Sequence, residues 1–112
     1  MIADTCNKLH VPCVVSDPDE AVLEKESVFG QTFSYKEFSK VQISLLGRYQ
    51  IENAVLALET IRALRMQTLQ GHSIIIPDKA VLQGMKNAVW PGRFQIVARK
   101  PIFIADGAHN RD

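Results

Sequence analysis

Three short segments of the chain carry side chains suited to binding anions and nucleotides. In the first, Gly47 leads into a helical pattern whose early turns carry Arg48, Gln50 and Asn53. Free backbone N–H groups and the helix dipole favour an anion at such a start. The amide of Asn53 supplies both a donor and an acceptor, the pair needed to read a nucleobase edge. The same residues are also typical of a helix start with solvated polar side chains.

The second segment is a break in the chain at Trp90-Pro91-Gly92, directly followed by Arg93. A guanidinium held by a rigid turn suits bidentate binding of phosphate or carboxylate oxygens. Taken alone, Arg93 is more readily interpreted as a surface arginine.

The third segment begins where an apolar run, Ile102–Ala105, ends in a polar turn with Asp106, His109 and Asn110. A carboxylate at the end of a strand can bind ribose hydroxyls, and a histidine can donate to phosphate or carboxylate oxygens. A turn rich in Asp, Gly and Asn also needs no function to explain it, so both interpretations stay open.

Other catalytic and metal-binding patterns are missing from the sequence. It contains no G-x-x-x-x-G-K-[ST] phosphate loop and no G-x-S-x-G nucleophile elbow. Cys6, His10 and Cys13 have ligand chemistry, but a structural zinc site needs a fourth ligand and none lies nearby. We therefore predict no metal site, with Cys6 buried on a helix face and Cys13 inside a strand.

Composition is that of a cytoplasmic globular chain. Of 112 residues, 46% are hydrophobic and 22% charged, and the formal net charge is +1. That balance argues against nucleic acid or a membrane surface as partner, since both require a basic excess. No apolar run approaches the roughly 20 residues of a membrane helix. Two cysteines are too few for a disulfide scaffold, so we expect reduced thiols.

Two amphipathic helices are the clearest predicted elements. Apolar residues recur at intervals of three and four from Ile51 to Leu64 and are followed by Leu69, which predicts a helix over residues 49–69, ended by Gly71. Pro77 opens a second helix that runs to about Val89. An amphipathic helical tail is expected over residues 1–10, and a brief helix is expected to start within residues 16–20 and continue through 21–23. Strands are expected at residues 11–15, 29–35, 41–46, 94–98 and 102–105, with 29–35 paired to 41–46.

The last predicted strand indicates a second domain. Ile102–Ala105 is continuously apolar, as in a strand covered on both faces of a doubly wound sheet. We expect an α/β fold in two parts. We expect residues 1–90 to be the C-terminal part of one domain and residues 91–112 to be the start of a second domain.

Three motifs in order resemble the folylpolyglutamate/dihydrofolate synthases of the Mur ligase superfamily. Residues 45–54 (LLGRYQIENA) are similar to that family's L-L-G-x-H-Q-x-x-N-A, residues 90–95 (WPGRFQ) to W-P-G-R-[LF]-[EQ], and residues 106–110 (DGAHN) to D-G-A-H-N. The chain departs from the pattern at Tyr49, where the family usually has histidine, and at Arg111, where proline is common.

The resemblance implies an ATP-dependent amide ligase. The whole enzyme would phosphorylate the terminal γ-carboxylate of a folate, and the amine of L-glutamate would then displace phosphate. ATP would lie between a central domain and a Rossmann-like C-terminal domain. By motif position Asn53, Arg93 and Asp106 match ATP contacts, and His109 matches a contact on the nucleotide and glutamate side. The phosphate loop and Mg²⁺ ligands are expected before Met1, so the fragment alone is predicted to be inactive, and the parent protein is expected to be a monomer.

Other functions remain open at the level of sequence. A cell-wall or cyanophycin ligase of the same superfamily would share a P-G-R turn and a D-x-A-H segment, although the full Asp106–Asn110 motif with Trp90 favours the folate branch. A catalytically silent module that binds a nucleotide or a partner protein is the alternative from a different class, and a purely structural fragment is the third.

Overall fold

The computed structural model describes residues 1–93 and 95–107. Over these residues the chain forms short helices, a three-stranded sheet and two hairpins. In chain order the elements are α1 (Ile2–Lys8), a 3-10 turn (Pro18–Glu20), β1 (Val22–Ser27), β2 (Gly30–Tyr35), β3 (Phe38–Ile43), α2 (Arg48–Arg65), β4 (Thr68–Leu69), β5 (His72–Ser73), α3 (Asp78–Asn87), β6 (Gln95–Arg99) and β7 (Ile102–Ala105).

The core lies between one face of an antiparallel sheet, ordered β1-β2-β3, and the helices α2 and α3. Side chains alternate across β2 and β3, so every second residue points to the helices. The buried members are Phe33, Tyr35, Phe38, Val41 and Ile43 from the sheet, Ile51, Ala54, Val55 and Leu58 from α2, and Val81 from α3. The predicted pairing of two strands in this region is confirmed as β2 with β3. The second strand lies three residues earlier than expected, at Phe38–Ile43 instead of 41–46, because the tight turn after Tyr35 brings Phe38 into register with it.

Both long helices form where the periodicity predicts them, but α2 ends four residues early. It stops at Arg65 because the chain turns back into the short hairpin β4–β5, and Gly71 lies in that turn with φ 81°. The prediction that Gly71 ends the helix is therefore wrong. Helix α3 starts directly after Pro77, as expected, and ends at Asn87.

Arg65 joins the end of α2 to the start of α3. Its Nη2 donates to the carbonyl of Ile76 at 2.5 Å and to the carboxylate of Asp78 at 2.7 Å. Its guanidinium also lies over the ring of Phe38, with 5.3 Å between the guanidinium carbon and the ring centroid. One side chain thus fixes both helices against the sheet.

The first 27 residues differ most from expectation. Residues 11–15 form no strand, because no neighbouring strand pairs with them in the described part of the chain, and Cys13 is exposed. α1 is present but buries no residue, and Cys6 is only half-buried. The helix start predicted within residues 16–20 is present as a 3-10 turn capped by Asp17, but its continuation through residues 21–23 is wrong. The helical turn is limited to Pro18–Glu20, and Val22 already starts β1.

The two strands predicted after the Trp-Pro-Gly break are present as an antiparallel hairpin, β6 with β7. The prediction that Ile102–Ala105 is covered on both faces does not hold here, since Phe103 is 61% exposed. Strand β7 pairs with β6 along one edge, and its large side chains Ile102, Phe103 and Ile104 are all exposed. In residues 1–93 and 95–107, every helix is too short or too polar to cross a membrane.

Candidate functional site

A cavity of about 530 Å³ opens between the start of α2, the end of α3 and the chain that follows α3. Its wall contains both Asn53 and Arg93, the most distinctive side chains of the first two motifs. Most of the remaining wall is apolar. The other lining residues are Ile43, Leu45, Gln50, Ala54, Ala57, Met85, Ala88 and Trp90. The fold thus brings together two residues that lie 40 positions apart in the sequence.

Asn53 is placed by α2, two helical turns after Gly47. Its Nδ2 lies 3.4 Å from Oε1 of Gln50, a long contact that leaves most of the amide's hydrogen-bonding capacity for another partner. The side chain is exposed, whereas Gln50 is buried. Ala54 and Ala57 are small, so the helix face beside Asn53 leaves room for a bound group.

Gln31 holds the loop that leads into α2. Its Nε2 donates to the carbonyls of Leu45 at 3.0 Å and Gly47 at 3.2 Å, and the residue is 3% exposed. Gly47 has φ 100°, and an added Cβ would lie 2.7 Å from the ring of Tyr49. The glycine of the motif is therefore needed both for its backbone conformation and for the space it leaves. Gln31 was missed by sequence reasoning, because a glutamine in a strand gives no signal.

Arg93 is placed by the turn at the end of α3. Its backbone N–H donates to the carbonyl of Trp90 at 3.3 Å, and the N–H of Gly92, at φ 77°, donates to Oε1 of Gln95 at 3.1 Å. The hydroxyl of Ser44 donates to the carbonyl of Ala88 at 2.9 Å, which ties the turn to the end of β3. Arg93 is half-buried, a setting in which a guanidinium interacts more strongly with an anion than at a fully exposed position.

The third motif returns to the same turn. The N–H of Gly107 donates to the carbonyl of Gly92, so Asp106 lies close in space to the chain that carries Arg93. Asp106 is exposed and is not among the described residues that line the cavity. His109, predicted to contact the nucleotide side, and Asn110 lie outside the described residues.

The described residues contain no group of three His, Cys, Asp or Glu side chains placed to hold a metal ion. Cys6 and Cys13 are free thiols. Burial and hydrogen bonding to Cys13 both raise the pKa of Cys6, which favours the unreactive protonated form.

A buried carboxylate farther along α2 anchors the helix to the sheet. Oε1 of Glu59 accepts hydrogen bonds from the hydroxyl of Tyr35 at 2.8 Å, from Nζ of Lys36 at 2.7 Å and from Nη1 of Arg62 at 2.9 Å. Burial alone would raise the pKa of Glu59, but hydrogen bonds from Lys36, Tyr35 and Arg62 outweigh it and hold that pKa below its ordinary value. Burial, and then Glu59, raise the pKa of Tyr35. This network fixes the orientation of the helix that carries Asn53.

Comparison with known proteins gave no match to a protein-family model. The dihydrofolate synthase/folylpolyglutamate synthase of Bacillus subtilis is 32% identical over 108 residues, which is 93% of this chain and 23% of that protein. A probable bifunctional folylpolyglutamate synthase/dihydropteroate synthase of Haloferax volcanii is 40% identical over 72 residues, 64% of this chain and 8% of that protein. The chain thus spans less than a quarter of the length of these relatives.

Solved structures share the fold. The apo form of L. casei folylpolyglutamate synthase superposes with a TM-score of 0.81 over 97% of this chain and 27% of its own, at 23% identity. A folylpolyglutamate synthase in complex with AMPPCP superposes equally well. The α/β arrangement described above is thus part of the Mur-ligase fold, as expected. With the motifs in order and the similarity extending over almost the whole chain, the chain belongs to the folylpolyglutamate synthase/dihydrofolate synthase family.

Proposed function

We propose that the protein containing this chain joins L-glutamate to the γ-carboxylate of a folate in an ATP-dependent reaction, and that the cavity between Asn53 and Arg93 is part of its nucleotide site. The observation that carries the proposal is the meeting of two family motifs in the wall of one cavity. A relative of the same fold is known in complex with AMPPCP, an ATP analogue, which supports a nucleotide as the ligand.

The residues present fit a nucleotide. A volume of about 530 Å³ lies within the usual range for small-molecule sites, roughly 300–1,000 Å³. Trp90 and Met85 supply apolar surface for a base, and the Asn53 amide can read the edge of that base. The guanidinium of Arg93 suits phosphate oxygens, and the Asp106 carboxylate suits ribose hydroxyls. We assign His109 to the nucleotide and glutamate side on motif position alone.

ATP would supply the phosphoryl group that converts the folate carboxylate into an acyl phosphate, with ADP leaving. The amine of glutamate then forms the amide as phosphate departs. Arg93 would neutralise phosphate charge, and closure of the site around it would keep water from the acyl phosphate. We place the Mg²⁺ ligands and the phosphate loop outside this chain, and we therefore propose that the chain alone is inactive.

We also propose a domain boundary near residue 90. The buried cluster takes its members from β2, β3, α2 and α3, and Met85 is its last partly buried contributor. Hairpin β6–β7 lies beyond that core. Residues 1–90 would be the C-terminal part of the central ATP-binding domain, and residues 91–112 the start of a Rossmann-like domain.

The setting we propose is that of a cytoplasmic monomer that acts on folate and glutamate and binds neither nucleic acid nor membrane. The near-neutral charge of the chain supports this proposal, since binding to nucleic acid or to an anionic membrane surface draws on a basic excess.

Replacing Arg93 with alanine in the complete gene product tests the nucleotide site. Loss of a charged hydrogen-bonding partner should weaken ATP binding about tenfold or more and lower kcat/KM for glutamate ligation by a similar factor. Binding would be measured by titration calorimetry and ligation by product analysis. Lys100→Ala, which removes the same charge from an exposed turn, is the matched control.

Unchanged affinity and turnover in Arg93→Ala would refute the assignment of the cavity. Nucleotide binding without any ligation by the unaltered protein would instead favour the catalytically silent module. Turnover with a cell-wall peptide precursor in place of folate would favour the other branch of the superfamily.

A further inference from the structure

A second surface, where the outer face of the three-stranded sheet meets α3, is lined by lysines and by no described carboxylate. Two adjoining cavities of about 320 and 340 Å³ open there and share Gln42 and Lys86 in their walls. We call this the lysine surface. Its cationic members are Lys25, Lys40, Lys79 and Lys86.

Regular secondary structure places these side chains together. Lys25 pairs with Thr32, and Thr32 pairs with Gln42, so the three residues form a row across the sheet on its outer face. Lys40 precedes Gln42 by two positions on β3. On α3, Lys79 and Lys86 are seven residues apart and therefore lie on one face of the helix, which packs beside β3.

The charge on this surface is not neutralised by the described part of the chain. None of its four lysines forms an ion pair with any described residue. The nearby acids line neither of the two cavities. Glu24 accepts a hydrogen bond from Ser34, Glu26 lines a different cavity, and Asp78 pairs with Arg65. With a net charge of only +1 on the chain, four lysines on one face are a local concentration and not a general basic character.

The chemistry of the lining selects the kind of anion. Lysine ammonium groups act as mobile point charges, whereas planar bidentate recognition of phosphate draws on arginine, and no described arginine lines either cavity. Gln42, Gln83 and Thr32 add hydrogen-bond donors between the charges. The guanidinium of Arg99 covers the ring of Phe29, with 5.3 Å between the guanidinium carbon and the ring centroid. That ring is therefore not available for stacking with a nucleic-acid base.

We propose that the lysine surface binds an oligo-γ-glutamate chain, the flexible polycarboxylate that repeated glutamate ligation produces. The inference rests on the proposed function. A chain with one carboxylate per unit matches a row of separated ammonium groups, and held there it would stay attached to the protein while its end re-enters the site of ligation.

Direct binding tests this assignment. Fluorescently labelled penta-γ-glutamate would be titrated with the complete gene product at low salt and followed by anisotropy. The double variant Lys25→Gln with Lys86→Gln should bind at least tenfold more weakly and show a smaller dependence on salt. The matched control, Lys8→Gln with Lys100→Gln, removes two exposed lysines outside the surface and should bind within twofold of the unaltered protein.

Equal losses in the two double variants would overturn the proposal, because binding would then follow net charge alone. Tighter binding of a single-stranded DNA of equal charge through the same lysines would also overturn it. Transfer of one glutamate to a monoglutamyl folate is measured separately. Ligation without pentaglutamate binding refutes the lysine surface alone, and pentaglutamate binding without ligation refutes the proposed function alone.

Discussion

Glu59 is a buried carboxylate whose side chain joins helix α2 to strand β2. It is 4% exposed and accepts hydrogen bonds from β2, from the turn after it and from its own helix. Glu59→Gln keeps the size but removes the charge, so the free energy of unfolding should fall by about 2 kcal/mol in urea titrations. Glu52→Gln, on an exposed turn of the same helix, should change it by less than about 0.5 kcal/mol. Equal losses of unfolding free energy in the two variants would show that the hydrogen bonds to Glu59 do not stabilise the fold.

The same carboxylate makes stability depend on pH. Its pKa is lower in the folded chain than in the unfolded one, so its contribution is complete above the unfolded value, about 4.3, and is lost as the pH falls through the folded value. The difference in unfolding free energy between unaltered protein and Glu59→Gln should therefore shrink below about pH 4.3. The contribution of Lys36 to stability depends on pH in the opposite direction. Its raised pKa means that its contribution is complete at neutral pH and is lost only in strong alkali. If the difference in unfolding free energy between the unaltered protein and Glu59→Gln stayed constant down to pH 2, the lowered pKa of Glu59 would be contradicted.

Residue types predicted part of the site and omitted the rest. Asn53 and Arg93 were found because each belongs to a motif with a glycine-bearing turn. Gln31 contributes through hydrogen bonds to Leu45 and Gly47, which lie 14 and 16 positions further along the chain, and such contacts leave no local pattern. The placement of Asp106 beside the turn at Gly92 follows from the register of hairpin β6–β7 and from the hydrogen bond between Gly107 and Gly92, which composition and periodicity cannot reveal.

Glycine substitutions test how α2 is positioned. At Gly47 an alanine would be forced into φ 100° and its Cβ would meet the Tyr49 ring, so Gly47→Ala should destabilise the fold by about 1–3 kcal/mol. At Gly84, inside α3, nothing lies within 4 Å of an added Cβ, and Gly84→Ala should stabilise by about 0.5–1 kcal/mol. Thermal unfolding of the two variants compares the same chemical change at two sites. Stabilisation by both would mean that Gly47 is not required.

Elements with one buried face were predicted best. Helices α2 and α3 and strands β2 and β3 place apolar residues at the period of their own geometry, so the pattern identifies the type of each element, while the ends of α2 and β3 differ by three to four residues from the prediction. Strand β1 was missed because all six of its residues are exposed, so no alternation of apolar and polar residues marks it. The opposite error occurred at residues 11–15, where a run of apolar residues predicted a strand. A strand forms only where a neighbouring strand pairs with it, and hydrophobicity alone does not supply that partner.

The molecule as a whole is more extended than a compact domain of its length. Its radius of gyration is 16.7 Å, compared with about 13 Å expected for a compact chain of this size. Both α1 and hairpin β6–β7 lie outside the buried cluster, and Trp90, Ile102 and Phe103 are each more than half exposed. The core that sustains the fold is therefore smaller than the chain.

Removing residues 91–112 tests whether the core stands without the hairpin. Because the buried cluster draws nothing from beyond α3, the shortened chain should retain its free energy of unfolding to within about 1 kcal/mol. Urea titration followed by circular dichroism measures this. A second truncation that also removes α3, with its buried Val81, should unfold the chain and serves as the reference. Unfolding of the first truncation would place the domain boundary elsewhere.

The hydrogen bonds from Arg65 to Ile76 and Asp78 join the chain on either side of hairpin β4–β5. Because one guanidinium links the last turn of α2 to Ile76 and Asp78, the spacing of the two helices is set without the intervening residues. The hairpin β4–β5 buries none of its residues and Gly71 opens onto free space. This loop is thus the natural position for a probe or an inserted tag, and for variation in length during evolution, with little disturbance to the site.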